Sequence, residues 1–239
     1  MKIAFIGKGR VATHMSKAFL SAQHDVVMCG GKTRLFPVPA DADVVIISIK
    51  DDAIEEVARE FIDSDALILH TSGSVSIEVI PSKRRGVLYP MQTFSFEREV
   101  DFRHVPLFLE TSSEDDMHLL SRMAHDISDK QYPLNSNQRK TLHLAAVLCC
   151  NFVNHLLVLS HEVLNDSDIP FHTLLPLIDE TIAKIHSIPP VEAQTGPAVR
   201  WDEKVISSHI DMLRDPLHKD IYRLLSESIR KTFINSQNK

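Results

Sequence analysis

Two residues into the chain, Ile3-Ala4-Phe5-Ile6 forms a short apolar run that breaks at Gly7, with Gly9 next and Ala12 three positions further on. Few sequences restrict a fold more, because Gly-x-Gly-x-x-Ala directly after an apolar run predicts a buried strand turning tightly into a helix. Gly7 permits the turn. Gly9 keeps a side chain away from the backbone, and Ala12 lets the helix lie close to its strand. The first N–H groups of such a helix lack intrahelical partners and sit at the positive end of its dipole, so they form an anion site. The pattern therefore points to the pyrophosphate of a dinucleotide, held around Gly7, Gly9, Arg10 and Val11.

The following hundred residues repeat this alternation. Residues 26–28, 44–49, 66–69, 87–89 and 105–109 read as further strands, and 10–23 and 52–62 carry helical periodicity. The strand runs are nearly continuous in Val, Ile and Leu, as expected where both faces of a sheet are covered. Strand and helix in alternation predict an α/β fold, a Rossmann doubly wound parallel sheet. Beyond residue 134 the character changes. Helical patterns cover 138–165, a stretch after Asp168 and Pro170 with the aspartate as N-cap, a stretch opened by Asp202, and the residues from Pro216 onward. The expected organisation is a dinucleotide-binding domain at 1–134 and an all-helical domain at 135–239.

Bulk properties narrow the function. A formal net charge of -6 without a basic patch argues against nucleic acid as a partner. Three cysteines, two of them adjacent, make no disulfide framework and suit a reducing, cytoplasmic setting. The segment 142–159 is apolar enough to suggest a membrane span, but Asn151, Asn154 and His155 interrupt it, so it reads as a buried core helix of a protein with no membrane partner. The chain's 13 histidines show no ligand spacing, and no metal site is expected.

Candidate site residues lie at the strand ends, where open α/β sheets bind ligands. The second strand ends Cys29-Gly30-Gly31-Lys32-Thr33-Arg34, with no acid for ribose hydroxyls and two cations for a 2′-phosphate. These cations could equally be solvated loop charges; as phosphate contacts they make NADP the expected cofactor, with NAD as the alternative. Ser48 stands at the tip of the third strand, and Asp51 or Asp52 reads as the N-cap of the next helix. The fourth strand ends His70-Thr71-Ser72-Gly73-Ser74, where Ser72 and Gly73 could line the nicotinamide side or form a capped turn before a helix at 75–80. In the long helix, Lys140, His143, Val147, Asn151 and Asn154 share a face, and amides in an apolar helix call for partners. His70, His143 and Tyr89 are the candidate proton donors, and Asn151 is the candidate substrate contact. In the loop 187–201, Arg200 and Asp202 could pair, with Asp202 capping the helix that follows.

Taken in order, Gly7-x-Gly9-x-x-Ala12, His70-Thr71-Ser72-Gly73-Ser74, Gly86-x-x-Tyr89-Pro90-x-Gln92-Thr93-Phe94 and Thr195-Gly196-Pro197-Ala198-Val199-Arg200-Trp201-Asp202 resemble a known group. It comprises bacterial Rossmann-like proteins with a DUF2520 C-terminal domain, labelled NADP- or F420-dependent oxidoreductases and related to pyrroline-5-carboxylate and ketopantoate reductases. The resemblance implies hydride transfer between a nicotinamide and a small C=O or C=N substrate, and a homodimer formed through the helical domain. A non-catalytic dinucleotide sensor and an F420-dependent or imine reductase are the alternatives. Three positions depart from the relatives: Tyr89 where histidine is common, Trp201 where glycine is usual, and Val147 four residues before Asn151, where β-hydroxyacid dehydrogenases carry a lysine.

Overall fold

The computed structural model describes residues 1–30 and 37–237, which form two compact units, Met1–Cys150 and Asn151–Lys239. In the first unit the expected alternation is present: β1 (Lys2–Ile6), α1 (Arg10–Ser21), β2 (Asp25–Cys29), β3 (Val44–Ile47), α2 (Ile54–Ala58), β4 (Leu67–His70), β5 (Arg85–Pro90), β6 (Leu107–Thr111), α3 (Glu114–Ile127), β7 (Gln131–Pro133) and α4 (Ser136–Ala146). The seven strands form one sheet in the order β2-β1-β3-β4-β5-β6-β7. All pairings are parallel except β5 with β6, where Tyr89 faces Phe108 in an antiparallel register. The link from β5 contains only a single 3-10 turn, Phe102–His104, rather than a helical crossover, so the chain returns antiparallel.

Both sheet faces are covered, which explains the near-continuous apolar strands. Ile3 and Phe5 of β1 point into one cluster with Met15 and Phe19 of α1 and Leu120 and Met123 of α3. Ala4, between them, points into the other with Ile54 and Ala58 of α2 and Ile80. Truncating such a core position, for example Phe5→Ala, costs about 3–5 kcal/mol. Ala12 is fully buried, in keeping with close seating of α1.

Several local expectations give way to other solutions. The helix expected at 75–80 is one 3-10 turn, Ile77–Val79, capped by Ser76 rather than by Ser72 or Ser74. Neither Asp51 nor Asp52 caps the turn they open; Lys50 holds the cap position and no side chain closes it. The sheet unit runs on to Cys150 and includes α4.

The second unit contains α5 (Val153–Asn165), α6 (Leu175–Lys184), α7 (Pro190–Ala193), α8 (Pro197–Arg200), α9 (Glu203–Met212) and α10 (Pro216–Gln237). Asp202 caps α9 by accepting the Val205 N–H. Asp168 does not cap α6: it sits at φ 54°, and α6 begins later, after the 3-10 turn Phe171–Leu174. Arg200 makes no ion pair among the described residues. The loop is held by Arg230 donating to the Val199 carbonyl and by the Trp201 indole N–H donating to Glu203. Trp201 adopts the left-handed conformation, φ 53°, which glycine takes up most readily.

The long helical run Ser136–Asn165 is interrupted by a π-helical turn, Val147–Phe152, a device associated with functional sites. It is long and apolar enough to cross a membrane, and none of its most apolar stretch is buried. This overturns the expectation of a core helix. Leu144, Leu148, Phe152 and Val158 are all exposed in the single chain. Asn151 and Asn154 are exposed as well, so the argument that buried amides require partners does not apply to them.

Candidate functional site

The strand order reverses between β1 and β3, the position at which open α/β sheets form a ligand crevice beyond the carboxyl ends of the strands. Gly7 follows β1 there with φ +120°, and a Cβ on it would lie 2.1 Å from the Ser48 carbonyl oxygen. Only glycine fits. The Gly7 N–H donates to the Cys29 carbonyl at 3.1 Å, so this residue shapes the turn without offering its own N–H to a ligand.

The next glycine behaves differently. Gly9 is the N-cap of α1; among the described residues a Cβ on it would meet nothing within 4 Å, and no side chain closes the helix end. No acid stands in the first turn. The leading N–H groups, including those of Arg10 and Val11, therefore remain open toward the crevice as a cradle suited to a pyrophosphate. The Arg10 side chain is tied back, donating to the Phe94 carbonyl at 3.4 Å. Lys32 and Arg34, the expected 2′-phosphate contacts, lie outside the described residues.

The tips of β3 and β4 are laced together. The Thr71 hydroxyl donates to Ser48 Oγ at 3.1 Å, and the Ser74 hydroxyl donates to the Asp51 carboxylate. Ser72 Oγ accepts the N–H groups of Ser74 and Val75, both at 3.1 Å, so it closes a turn. His70 belongs to the same scaffold. It is fully buried, its Nδ1 accepts the Ser72 N–H at 3.1 Å, and its Nε2 meets no hydrogen-bond criterion with a partner among the described residues. Burial, aided by the Arg139 charge, pushes its pKa down to about 4. With none of its surface exposed and Nδ1 spent on the loop, the ring has no path to a substrate in the crevice, which removes His70 from the candidate donors.

The other two expected donors come together. Tyr89 Oη lies 3.0 Å from His143 Nδ1, with the rings in a T-shaped arrangement at 5.9 Å. Burial raises the Tyr89 phenol, and the nearby Arg139 charge partly opposes this. The His143 ring also rests on Gly73, where an added Cβ would come within 2.6 Å of Nδ1. Gly73 is thus required by the close approach of a side chain rather than by its backbone angles. The sheet end, the glycine and the imidazole–phenol pair form one polar cluster in the first unit.

Sequence reasoning missed Arg139. One turn before His143 on α4, its side chain is 1% exposed. Nε donates to the Ser72 carbonyl at 3.1 Å, one Nη donates to the Val75 carbonyl, and the other pairs with Glu110. Its i, i+4 relation to His143 is visible in the sequence, but its partners on β6 and the loop after β4 are not. Asn151, the expected substrate contact, is exposed and opens the second unit.

Comparison with known proteins agrees with this architecture. Residues 105–229 match the family described as a domain of unknown function, DUF2520. The crystal structure named "putative NADP oxidoreductase BF3122" from Bacteroides fragilis is 39% identical, covers 96% of this chain and 98% of its own, and superposes with a TM-score of 0.87. The fold recurs in the Plasmodium falciparum pyrroline carboxylate reductase with NADP bound, 10% identical over 98% of this chain and 100% of that one, TM-score 0.60. It recurs again in the Streptomyces aurantiacus imine reductase, 15% identical over 100% of both chains, TM-score 0.65. None of the curated proteins matches the chain. A Rossmann-like sheet carrying the matched segment, together with 39% identity to the Bacteroides protein along nearly its whole length, places this chain in the DUF2520 family.

Proposed function

We propose that this protein is an NADP-dependent oxidoreductase acting on a small C=O or C=N substrate, with the Tyr89–His143 pair as its proton source. The observation that carries the reading is the 3.0 Å contact between Tyr89 Oη and His143 Nδ1, set against Gly73 at the carboxyl end of β4. Rossmann folds bring the reactive end of a dinucleotide to the strand ends. The N–H groups at the start of α1 would hold the pyrophosphate, and Ser48, Ser72 and Gly73 would line the nicotinamide side. The bound nicotinamide supplies the hydride. The chain supplies the proton: with Nδ1 accepting from the phenol, the neutral imidazole carries its hydrogen on Nε2. In one concerted relay Nε2 would give its hydrogen to the substrate as Nδ1 takes the phenol's, and solvent would then return a proton to the Tyr89 phenolate. The Bacteroides relative, named as an NADP oxidoreductase, supports the same cofactor.

The active form is a homodimer in the cytoplasm, built through the helices. In the second unit only Ala198 and Ser226 are buried among the described residues, so these helices have almost no core of their own. Exposed apolar stripes of this extent mark an association surface, and a second copy presenting the same stripe would cover them.

Fluorescence titration with NADPH, followed by NADPH-oxidation assays over keto acids and cyclic imines, tests the proposal. Binding with turnover on at least one substrate that collapses in His143→Ala is the expected result. Binding without turnover across the panel would instead favour a dinucleotide sensor. Absence of binding would defeat both readings. Light scattering on the purified chain tests the dimer, and a monomer at micromolar concentration would sink it.

A further inference from the structure

Arg139 is almost completely enclosed, yet a guanidinium is always charged and brings five N–H donors into the protein. Burying it is tolerated only with its donors well placed, and here they are spent in a particular way. Two go to main-chain carbonyls of one loop, Ser72 and Val75, on either side of Gly73. Another pairs with Glu110 on β6, and Ser136 Oγ takes a fourth at 3.3 Å. Glu110 in turn accepts the Ser136 N–H at 2.8 Å and the Ser136 hydroxyl, anchoring the first residue of α4. A cation near a helix N-terminus is unfavourable toward the dipole, so its place here reflects the partners around it.

The consequence is a fixed register between α4 and the loop after β4. Arg139 and His143 are one helical turn apart and share a face. The first grips the loop at residues 72 and 75, and the second then stands over residue 73 within reach of Tyr89. We infer that Arg139, backed by Glu110, is a positioning residue that sets the Tyr89–His143 pair against the nicotinamide-side loop. The inference rests on the oxidoreductase reading for its kinetic consequences, but the register itself can be measured without turnover. The positive charge also bears on the phenol, favouring its ionised form against the effect of burial.

The test compares wild type with Arg139→Lys, Arg139→Met and Glu110→Gln. Helical content and NADPH affinity are checked first, and then kcat, KM and the pH profile of kcat. In Arg139→Met we expect kcat to fall on the order of 10- to 100-fold, the cost typical of a reacting geometry displaced by about 1 Å. NADPH affinity should change less than about threefold, and the alkaline limb of the profile should move upward as the phenol loses its cationic neighbour. Arg139→Lys keeps the charge but not the fork, so it should restore the alkaline limb and recover only part of kcat. In kcat, Glu110→Gln should fall between wild type and Arg139→Met.

A readout independent of turnover follows the His143 ring by NMR, its signal assigned through His143→Asn. Its ring chemical shifts, set by the edge-on contact with Tyr89, should move between wild type and Arg139→Lys even if no substrate is found. Unchanged kcat and pH profile in folded Arg139→Met would overturn the inference. So would kcat, NADPH affinity and helical content falling together with no recovery in Arg139→Lys, because that pattern describes a purely structural arginine. Should Arg139→Met fail to fold, Arg139→Lys and Glu110→Gln decide: unmoved His143 ring shifts in both would refute the assignment. A silent wild-type enzyme whose His143 ring signals move in the variants as described would defeat the oxidoreductase reading and leave the register standing.

Discussion

His143 Nδ1 occupies the space into which a side chain at residue 73 would grow: a Cβ on Gly73 would lie 2.6 Å from that nitrogen and 2.7 Å from the ring carbon beside it. The ring cannot swing away freely, because Tyr89 Oη holds the same nitrogen at 3.0 Å. Gly73→Ala should therefore cost about 1–3 kcal/mol, as overpacking does. The cost should shrink in a His143→Ala background. A double-mutant cycle by chemical denaturation measures this. Strict additivity of the two changes would mean that the ring is not where the structure places it.

Tyr89→Phe removes one hydroxyl and leaves the ring packed on Phe108 at 6.1 Å. His143 is only partly buried and can turn to water, so the loss of stability should be modest, about 0.5–1.5 kcal/mol. The kinetic effect should be larger, on the order of a hundredfold in kcat, the lower end for a general acid. Because burial raises the phenol, it stays protonated through the neutral range, so wild-type activity should show its alkaline decline only at high pH. That decline should vanish in Tyr89→Phe. Steady-state kinetics across pH decide the matter, and a variant with wild-type kcat would remove Tyr89 from the relay.

What the sequence made legible were features written in local spacing. Gly7, Gly9 and Ala12 announce the strand–turn–helix through the steric needs of neighbouring residues, and the apolar runs announce strands buried on both faces. The pairing of Tyr89 with His143 and the grip of Arg139 on the Ser72 carbonyl join positions more than fifty residues apart, and no periodicity encodes them. Ser76 captured the cap expected of Ser72 or Ser74 because the Ser72 hydroxyl was already committed to the preceding turn. The three-residue β7 is too short to produce a pattern of its own. Asn151 misleads for another reason: an apolar helix reads as buried, whereas its apolar face is exposed in the single chain.

The two fingerprint glycines should separate cleanly under mutation. Gly7→Ala places a Cβ 2.1 Å from the Ser48 carbonyl oxygen at φ +120°, so it should reduce stability by several kcal/mol or prevent folding. Gly9 has φ -72° and open space around it, so Gly9→Glu should leave the melting temperature nearly unchanged. Its added bulk and negative charge should nevertheless abolish NADPH binding at the helix end. Calorimetry and a binding titration on both variants check this. Intact NADPH affinity in Gly9→Glu would show that the cradle lies elsewhere.

His70 gives the protein a specific weakness to acid. Its pKa is about 4 in the folded protein against 6.5 for the free side chain, with burial as the main cause and the Arg139 charge second. Between those values the unfolded chain binds a proton that the folded one refuses, so stability is complete above pH 6.5 and declines as the pH falls toward 4. The slope approaches about 1.4 kcal/mol per pH unit. His70→Asn retains a carbonyl oxygen to accept the Ser72 N–H while removing the titrating ring. It should be less stable at pH 8, owing to the smaller side chain, and lose less stability between pH 6.5 and 4.5. Urea denaturation at several pH values measures both slopes. Parallel curves for the two proteins would place the acid sensitivity in groups other than His70.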